Sequence, residues 1–498
     1  MTDVIFTRTR TKPVELPQGD TAVRSGKKWP ALPVFLYLLF IALPFMFDIG
    51  TLSMTFLRVI LLVMIIPLYV RLALGKYGRV NLVDILFFLY IIWAGLCLQI
   101  NNPDRAVEFL GSNALDFLGG YMLTRAYIRN REEYIAFQRM LIVMVVCTVP
   151  FAIYEAITAT APITEIINKI PGFKSHPDFW NIINERRMGI MRTQVIFQHP
   201  IHYGLFCSTI FALAYVGTKG IYSDTKRIFI CCAIGLGVVL SVSSAPLLGI
   251  AFQCGLIAWA LIFRDVPRRW LILTTLFVVC YVVVDLLSNR TPIKVLISYL
   301  TFSAHSGYWR VLIFEWGVVN VINNPIFGIG LNDWVRPSWM HDDSVDNFWL
   351  LNAMRYGIPG LILISVPYFY ALFRIGLRNF DGDRELWLLR RGWVMSFAGM
   401  TFALCTVHIW ETVYSFTFLL FGAGMWMMTA KPKGSVDKPL RDNSGYHRAN
   451  TPQTDVSRAD HGYSRHAGGK TADNPVTTRA SETPFARKNL KNTARKQR

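Results

Sequence analysis

The sequence predicts an all-α, polytopic integral membrane protein of about twelve transmembrane helices with two long extracytoplasmic loops. Composition is the first reason. Hydrophobic residues make up 53% of the chain and charged residues 17%, where a soluble domain carries about 25% charged residues. The second reason is distribution: the charges are concentrated between long apolar runs and at the two ends. Crossing hydrocarbon takes about 20 apolar residues, and roughly a dozen windows here reach that length. A β-barrel would show short alternating segments instead.

The predicted spans lie near 29–47, 52–73, 82–100, 106–126, 135–158, 201–217, 227–242, 245–264, 270–288, 346–374, 391–410 and 413–430. The stretch 227–264 is read as two short spans around the turn "SVSSAP", because both of its flanks are basic: Lys219, Lys226 and Arg227 before it, Arg264, Arg268 and Arg269 after it. Basic loops stay on the cytoplasmic side. With about twelve spans, "RLALGKYGR", "RAYIRNRE", "TKGIYSDTKR", "RDVPRR" and "RIGLRNFDGDRELWLLRR" all fall on that side together with both termini. The expected organisation is a basic cytoplasmic leader over 1–28, a transmembrane domain over 29–430 with outer loops at 159–200 and 289–345, and a disordered basic tail over 431–498. The leader is too long for a signal-peptide n-region, so the first apolar run is expected to remain as an uncleaved span. Residues 305–322 are apolar, yet a further span there would put the basic loop 374–391 outside, so an interfacial helix is expected. Much of the net charge of +19 sits in the tail and inner loops; this suits anionic lipid headgroups, and nucleic acid is not an expected partner. All eight cysteines fall inside apolar runs, so no disulfide framework is readable.

Both outer loops hold arginines on the translocated side, and an anionic ligand is the simplest reason. The alternative is that long loops cross regardless of charge. No phosphate-cradling glycine loop, HExxH or nucleophile-elbow serine is present. His341, Asp342 and Asp343 are adjacent, and adjacent side chains rarely converge on one ion; no metal site is expected. In "SVDNFWLLNAMRYGIPG", Asp346 stands at the mouth of an apolar helix, where a carboxylate can serve as a general base or as the helix N-cap. Arg355, nine residues on, falls on nearly the opposite helix face, and pairing with Asp116, Glu155 or Asp285 is its expected fate. Pro359 should kink the helix near Gly357 and free the Arg355 carbonyl. Trp309, Trp316, Trp334 and Trp339 suit either sugar stacking or an interfacial aromatic belt.

Three blocks in order, "RTQVIFQHPIHYG", "RVLIFEW…NNPIFGIG" and "DNFWLLNAMRYGIPG", resemble those of the O-antigen ligase and O-antigen polymerase superfamily, over residues 185 to 365. In the first, Arg192, Phe197, His199 and Pro200 match, and Val195 stands where the pattern has glycine. In the second, Arg310, Asn324, Pro325, Gly328 and Gly330 match, with Phe314 in place of a tryptophan. In the third, Asn347, Gly357 and Gly360 keep the spacing, while Asp346 replaces the histidine of the ligases.

The resemblance implies a metal-independent membrane glycosyltransferase without cofactor, in the bacterial inner membrane. Its donor and acceptor would be polyprenyl-diphosphate-linked oligosaccharides, and its further partners membrane lipids, a chain-length regulator and export proteins. Expulsion of diphosphate builds negative charge that forked guanidinium groups can clamp. Arg192 and Arg310 are the candidates for that clamp, with Arg187 and Arg290 in reserve, and Asp346 is the candidate base. His199 and His305 are fallback candidates for acid or base or for contacts to the glycan, with a structural role as the alternative, and Asn347 is a candidate for contacts to the glycan. The expected activity is polymerisation of lipid-linked polysaccharide repeat units for O-antigen, capsule or exopolysaccharide. The alternatives are a ligase handing glycan to a lipid A core and a flippase for lipid-linked saccharides. A flippase should keep its ionisable groups near the bilayer midplane, whereas here they cluster in outer loops.

Overall fold

A computed structural model describes residues 29–49, 52–175, 186–187, 189–289, 292, 295 and 304–433. The leader 1–28, Arg290 and the tail from 434 onward lie outside the described residues.

The fold is a helical bundle. In chain order it runs α1 (Leu32–Ala42), the hairpin β1 (Met46–Ile49) and β2 (Leu52–Thr55), α2 (Phe56–Ala73), α3 (Leu82–Asn101), α4 (Pro103–Ala114), α5 (Gly120–Tyr127), α6 (Arg131–Thr158) and α7 (Pro162–Asn168). A short antiparallel pair follows, β3 (Arg186–Arg187) with β4 (Ile190–Met191), then α8 (Pro200–Ala212), α9 (Asp224–Leu240), α10 (Ser244–Ile262) and α11 (Arg269–Leu287). The last elements are α12 (Ala304–Asn323), α13 (Phe348–Gly376), α14 (Arg384–Leu404) and α15 (Glu411–Gly424). Wide π-turns join α4 to α5 over Leu115–Gly119 and extend α8 over Leu213–Gly217.

Among the described residues, 7 helices are long and apolar enough to cross a membrane: α2, α3, α6, α8 with its π-turn, α10, α11 and α13. Helices α1, α9 and α15 are shorter, with 11, 17 and 14 residues, and α14 opens on the charged run "RELWLLRR".

Several charges buried in the apolar bundle are paired, which offsets the cost of a low-dielectric interior. Arg58 meets Asp116 at 2.9 Å and Arg125 meets Asp84 at 3.2 Å. Phe87, Phe117 and Phe418 form an edge-to-face aromatic centre, with ring centroids 4.9 and 4.2 Å apart along the chain of contacts.

The basic loops meet at one end of the bundle. Arg125 donates to the Tyr77 and Arg79 carbonyls at 3.0 and 3.1 Å, Arg129 to the Lys76 carbonyl at 3.0 Å, and Arg131 to Glu385 at 2.7 Å. Elsewhere the second long loop is tied to helix ends: Leu331 N–H donates to Asn102 Oδ1, between α3 and α4, at 2.7 Å, and just after the loop Asn347 Nδ2 donates to the Cys405 carbonyl, at the end of α14, at 2.8 Å.

Helix α13 is broken at Gly357, whose φ of 68° and ψ of −176° lie outside the helical region. Pro359 cannot donate to the ladder, and the freed carbonyls are taken up by the "NNPIFGIG" segment. Ile329 N–H donates to Met354 O at 2.8 Å, Gly330 N–H to Arg355 O at 3.1 Å, and Ile358 N–H returns to Pro325 O at 2.8 Å. The second and third sequence blocks are therefore one joint, in which a loop closes the backbone that a kink opened.

Candidate functional site

The site is assembled where the loop 192–199, the α9–α10 turn, α12 and the segment before α13 converge. Arg192 is buried, and its Nη2 donates to Ser243 Oγ at 3.4 Å. Arg310, on α12, donates from Nη1 to the next residue's hydroxyl, Ser244 Oγ, at 3.5 Å. Two guanidinium groups from segments more than a hundred residues apart thus rest on adjacent serines. Those serines open α10, and Ser243, its N-cap, makes no side-chain capping bond. The first-turn N–H groups of Ser244 and Ala245 are not consumed by the cap, so the positive end of the helix dipole adds to the two arginines.

The loop that carries Arg192 is held from beneath. Glu155, buried in α6, accepts the N–H groups of Gln194 and Val195, each at 2.9 Å. Thr193 N–H donates to the Leu240 carbonyl at 3.1 Å, tying the loop to the end of α9. Val195 has φ of 54° and Val242, in the α9–α10 turn, φ of 43°. The left-handed region is strained for a β-branched residue, and strain of this kind persists where surrounding contacts over-determine it, often at functional sites. It also explains why the block resembled above has glycine at the position of Val195.

Asp346 is half-buried. Burial pushes its carboxyl above the usual carboxylate range, Arg310 pulls it back, Asp342 pushes it up and Arg187 pulls it down. Arg310 in turn is held below the usual guanidinium range by burial, with Asp346 opposing and Arg187 reinforcing. A guanidinium remains protonated in proteins, so the arrangement is a carboxylate of raised basicity flanked by fixed cations. Arg187, on β3, is exposed.

The helix N-cap is Asn347 rather than Asp346: Asn347 Oδ1 accepts Leu350 N–H at 3.0 Å, while its Nδ2 holds the Cys405 carbonyl. Asp346 is left without capping work, and both ends of the Asn347 amide are used within the fold. His199 caps α8, its Nδ1 accepting Ile201 N–H at 3.0 Å; its ring lies 6.0 Å from that of Trp410. The backbone of His305 belongs to α12, but its side chain, like Arg290 as a whole, lies outside the described residues.

Arg355 is not paired as expected. Asp116 belongs to Arg58 and Glu155 to the loop backbone, while Arg355 lies over the Phe109 ring at 5.5 Å. It lines a cavity of about 500 Å³ with Arg58, His408, Trp410 and Glu411. Of the tryptophans, Trp334 donates to the Asp343 carbonyl at 2.9 Å, and Trp309 and Trp339 pair at 5.9 Å.

Sequence reasoning missed Ser243, Ser244 and the supporting role of Glu155. "SVSSAP" was legible as a turn, and hydroxyls are ordinary in turns. Glu155 carried the better signal, since a carboxylate inside an apolar run needs a partner.

The described residues thus bring two cationic side chains, a helix N-terminus and a half-buried carboxylate to one region of a helical, membrane-type scaffold. Residues 229–365 match the family model described as O-antigen ligase, in keeping with the resemblance of the three sequence blocks to the O-antigen ligase and polymerase superfamily. The matched stretch holds Ser243, Ser244, Arg310, Asp346 and the Gly357 break; Arg192 precedes it. No curated protein matches the chain.

Proposed function

We propose that this chain is a polymerase of lipid-linked polysaccharide repeat units at the outer face of the bacterial inner membrane. The observation that carries the proposal is the meeting of Arg192 and Arg310 on Ser243 and Ser244, with Asp346 electrostatically coupled to Arg310.

In the proposed reaction an acceptor sugar hydroxyl attacks the anomeric carbon of a polyprenyl-diphosphate glycan. The bond from that carbon to the phosphate oxygen breaks, and the diphosphate leaves with the electron pair. Arg192 and Arg310 receive the developing charge, reinforced by Arg187 and the first turn of α10, and these fixed donors take the place of a divalent cation. Asp346 accepts the hydroxyl proton. The gathering of basic loops at one bundle end supports a topology of about twelve spans with both termini cytoplasmic and the site outside. In the same reading 29–430 is the catalytic domain.

The family match, described as O-antigen ligase, favours a second reading in which the acceptor is a lipid A core. Asp346 in place of the ligase histidine favours the polymerase. Deletion of the gene separates them. Single-repeat glycan remaining at the surface is expected. Full-length polymer stranded on its lipid carrier would establish the ligase, and absence of any repeat at the outer face would overturn both.

A further inference from the structure

The candidate site occupies one end of α9 and α10, and the other ends of the same two helices hold a second gathering of cations. Lys219, Arg227, Arg264, Arg269, Arg384 and Arg391 line a cavity of about 610 Å³ there, with Asp224 its acidic residue. Asp224 is engaged by Arg227, and Arg264 meets Asp265 at the exposed surface. Lys219, Arg384 and Arg391 have no ion-pair partner among the described residues. Arg391 lies over the Trp387 ring at 4.3 Å, its Nε is buried without a hydrogen-bond partner among the described residues, and the charges of Arg269 and Arg390 act on it. Arg269 is fixed in place by the Ala260, Phe263 and Arg264 carbonyls at 3.3, 3.3 and 3.0 Å. Packing like charges together, half out of water, is unfavourable until an anion joins them.

Depth and shape indicate which anion. Helix α10 has 19 residues, about 28 Å long, against roughly 30 Å of hydrocarbon; with Ser244 near one interface, the cationic cavity lies at the headgroups of the other. Arg391 also lines a second, apolar cavity of about 750 Å³, walled by Phe252, Phe277, Phe369, Phe373 and Phe402 and reaching Cys405. From Arg391 to Cys405 is about 21 Å along α14, more than the roughly 15 Å of one leaflet. Helix α11, which forms one wall of this groove, has no buried residue. A headgroup pocket thus continues into a groove of acyl-chain length.

We propose that pocket and groove together bind an anionic phospholipid, its phosphate among Arg391, Arg269 and Arg384 and one acyl chain along α14. The proposal goes beyond glycosyl transfer and does not rest on it. Free phosphate shares the headgroup chemistry alone, and an uncharged polyprenol shares the groove alone.

The test is thermal unfolding of the full-length protein in detergent with added phosphatidylglycerol, phosphatidylcholine, inorganic phosphate or an uncharged polyprenol. Phosphatidylglycerol is expected to raise the midpoint and the other three are not. Arg384 and Lys219 are exposed, so Arg384→Gln with Lys219→Gln should leave the lipid-free midpoint unchanged. That pair should weaken the phosphatidylglycerol response by about fivefold per charge removed, and Arg391→Gln should abolish it. An equal shift from phosphatidylcholine, from inorganic phosphate or from polyprenol would overturn the proposal, as would wild-type phosphatidylglycerol affinity in the exposed double variant.

Discussion

In the proposed reaction Asp346 is the base, and its environment fixes the sign of the pH dependence expected of it. A carboxyl raised above its ordinary range stays protonated to higher pH, and a base must be ionised to act. Turnover should therefore fall on the acid side with a midpoint above that of an ordinary aspartate, and Asp346→Asn should remove that limb together with about a hundredfold or more of the rate. In vitro elongation followed against pH would show it; an unchanged acid limb in the variant would transfer the role elsewhere. His408 is not the source of such a limb, since burial and Arg355 push its imidazole down to about 3. Arg310→Lys replaces a fork by a point charge, and the loss of one charge-assisted contact, about 2 kcal/mol, corresponds to roughly a thirtyfold slower turnover. Asp346 and the two arginines were legible because charge in an outer loop or at a helix mouth needs a reason. Ser243 and Ser244 were not, because nothing local distinguishes a hydroxyl that holds an arginine from one that faces water.

The elements show how far sequence periodicity reaches. The span boundaries of α3 and α6 followed from apolar length, and Pro359 located the break in α13. What closes that break came from a segment some thirty residues earlier, a pairing that no local pattern encodes. Gly357 is where the joint is most exposed to mutation. A Cβ there would meet Ile326 O at 2.0 Å, at a backbone conformation that L side chains rarely adopt, so Gly357→Ala should cost about 3 kcal/mol and lower the unfolding midpoint in detergent. Val195 presents the opposite balance. Val195→Gly relieves about 1–2 kcal/mol of left-handed strain but loses about 2 kcal/mol of burial and about 1 kcal/mol to backbone entropy. The expected net is a loss of about 1–2 kcal/mol. Glu155→Gln leaves one of the two loop N–H groups facing an amide NH₂, at a cost of about 1–3 kcal/mol. The loop bearing Arg192 would loosen, and under the proposed polymerase reading the polymer in cells should shorten while the protein still accumulates.

At the scale of the whole molecule, the two ends of the bundle carry different kinds of charge. One end is a belt of basic loops bonded to one another; the other holds a few arginines bound to hydroxyls and coupled to a carboxylate. The belt was legible from loop composition alone, because the bias against translocating basic residues acts on short loops one at a time. The number of crossings was less so. Short helices such as α9 and α15 are as apolar as spans but fall below the length that composition alone requires, and only packing against neighbours supplies the rest. Sidedness can be tested directly. Ser344, beside Asp346, and Lys219, in the basic belt, are both exposed, and the native cysteines all lie in apolar runs, so labelling of the unsubstituted protein sets the background. In spheroplasts, a membrane-impermeant maleimide should label Ser344→Cys at once and Lys219→Cys only after lysis. The reverse order would put the arginine pair and Asp346 on the cytoplasmic side, where a glycan already carried across the membrane could not reach them, and glycosyl transfer at the outer face would be excluded for this site.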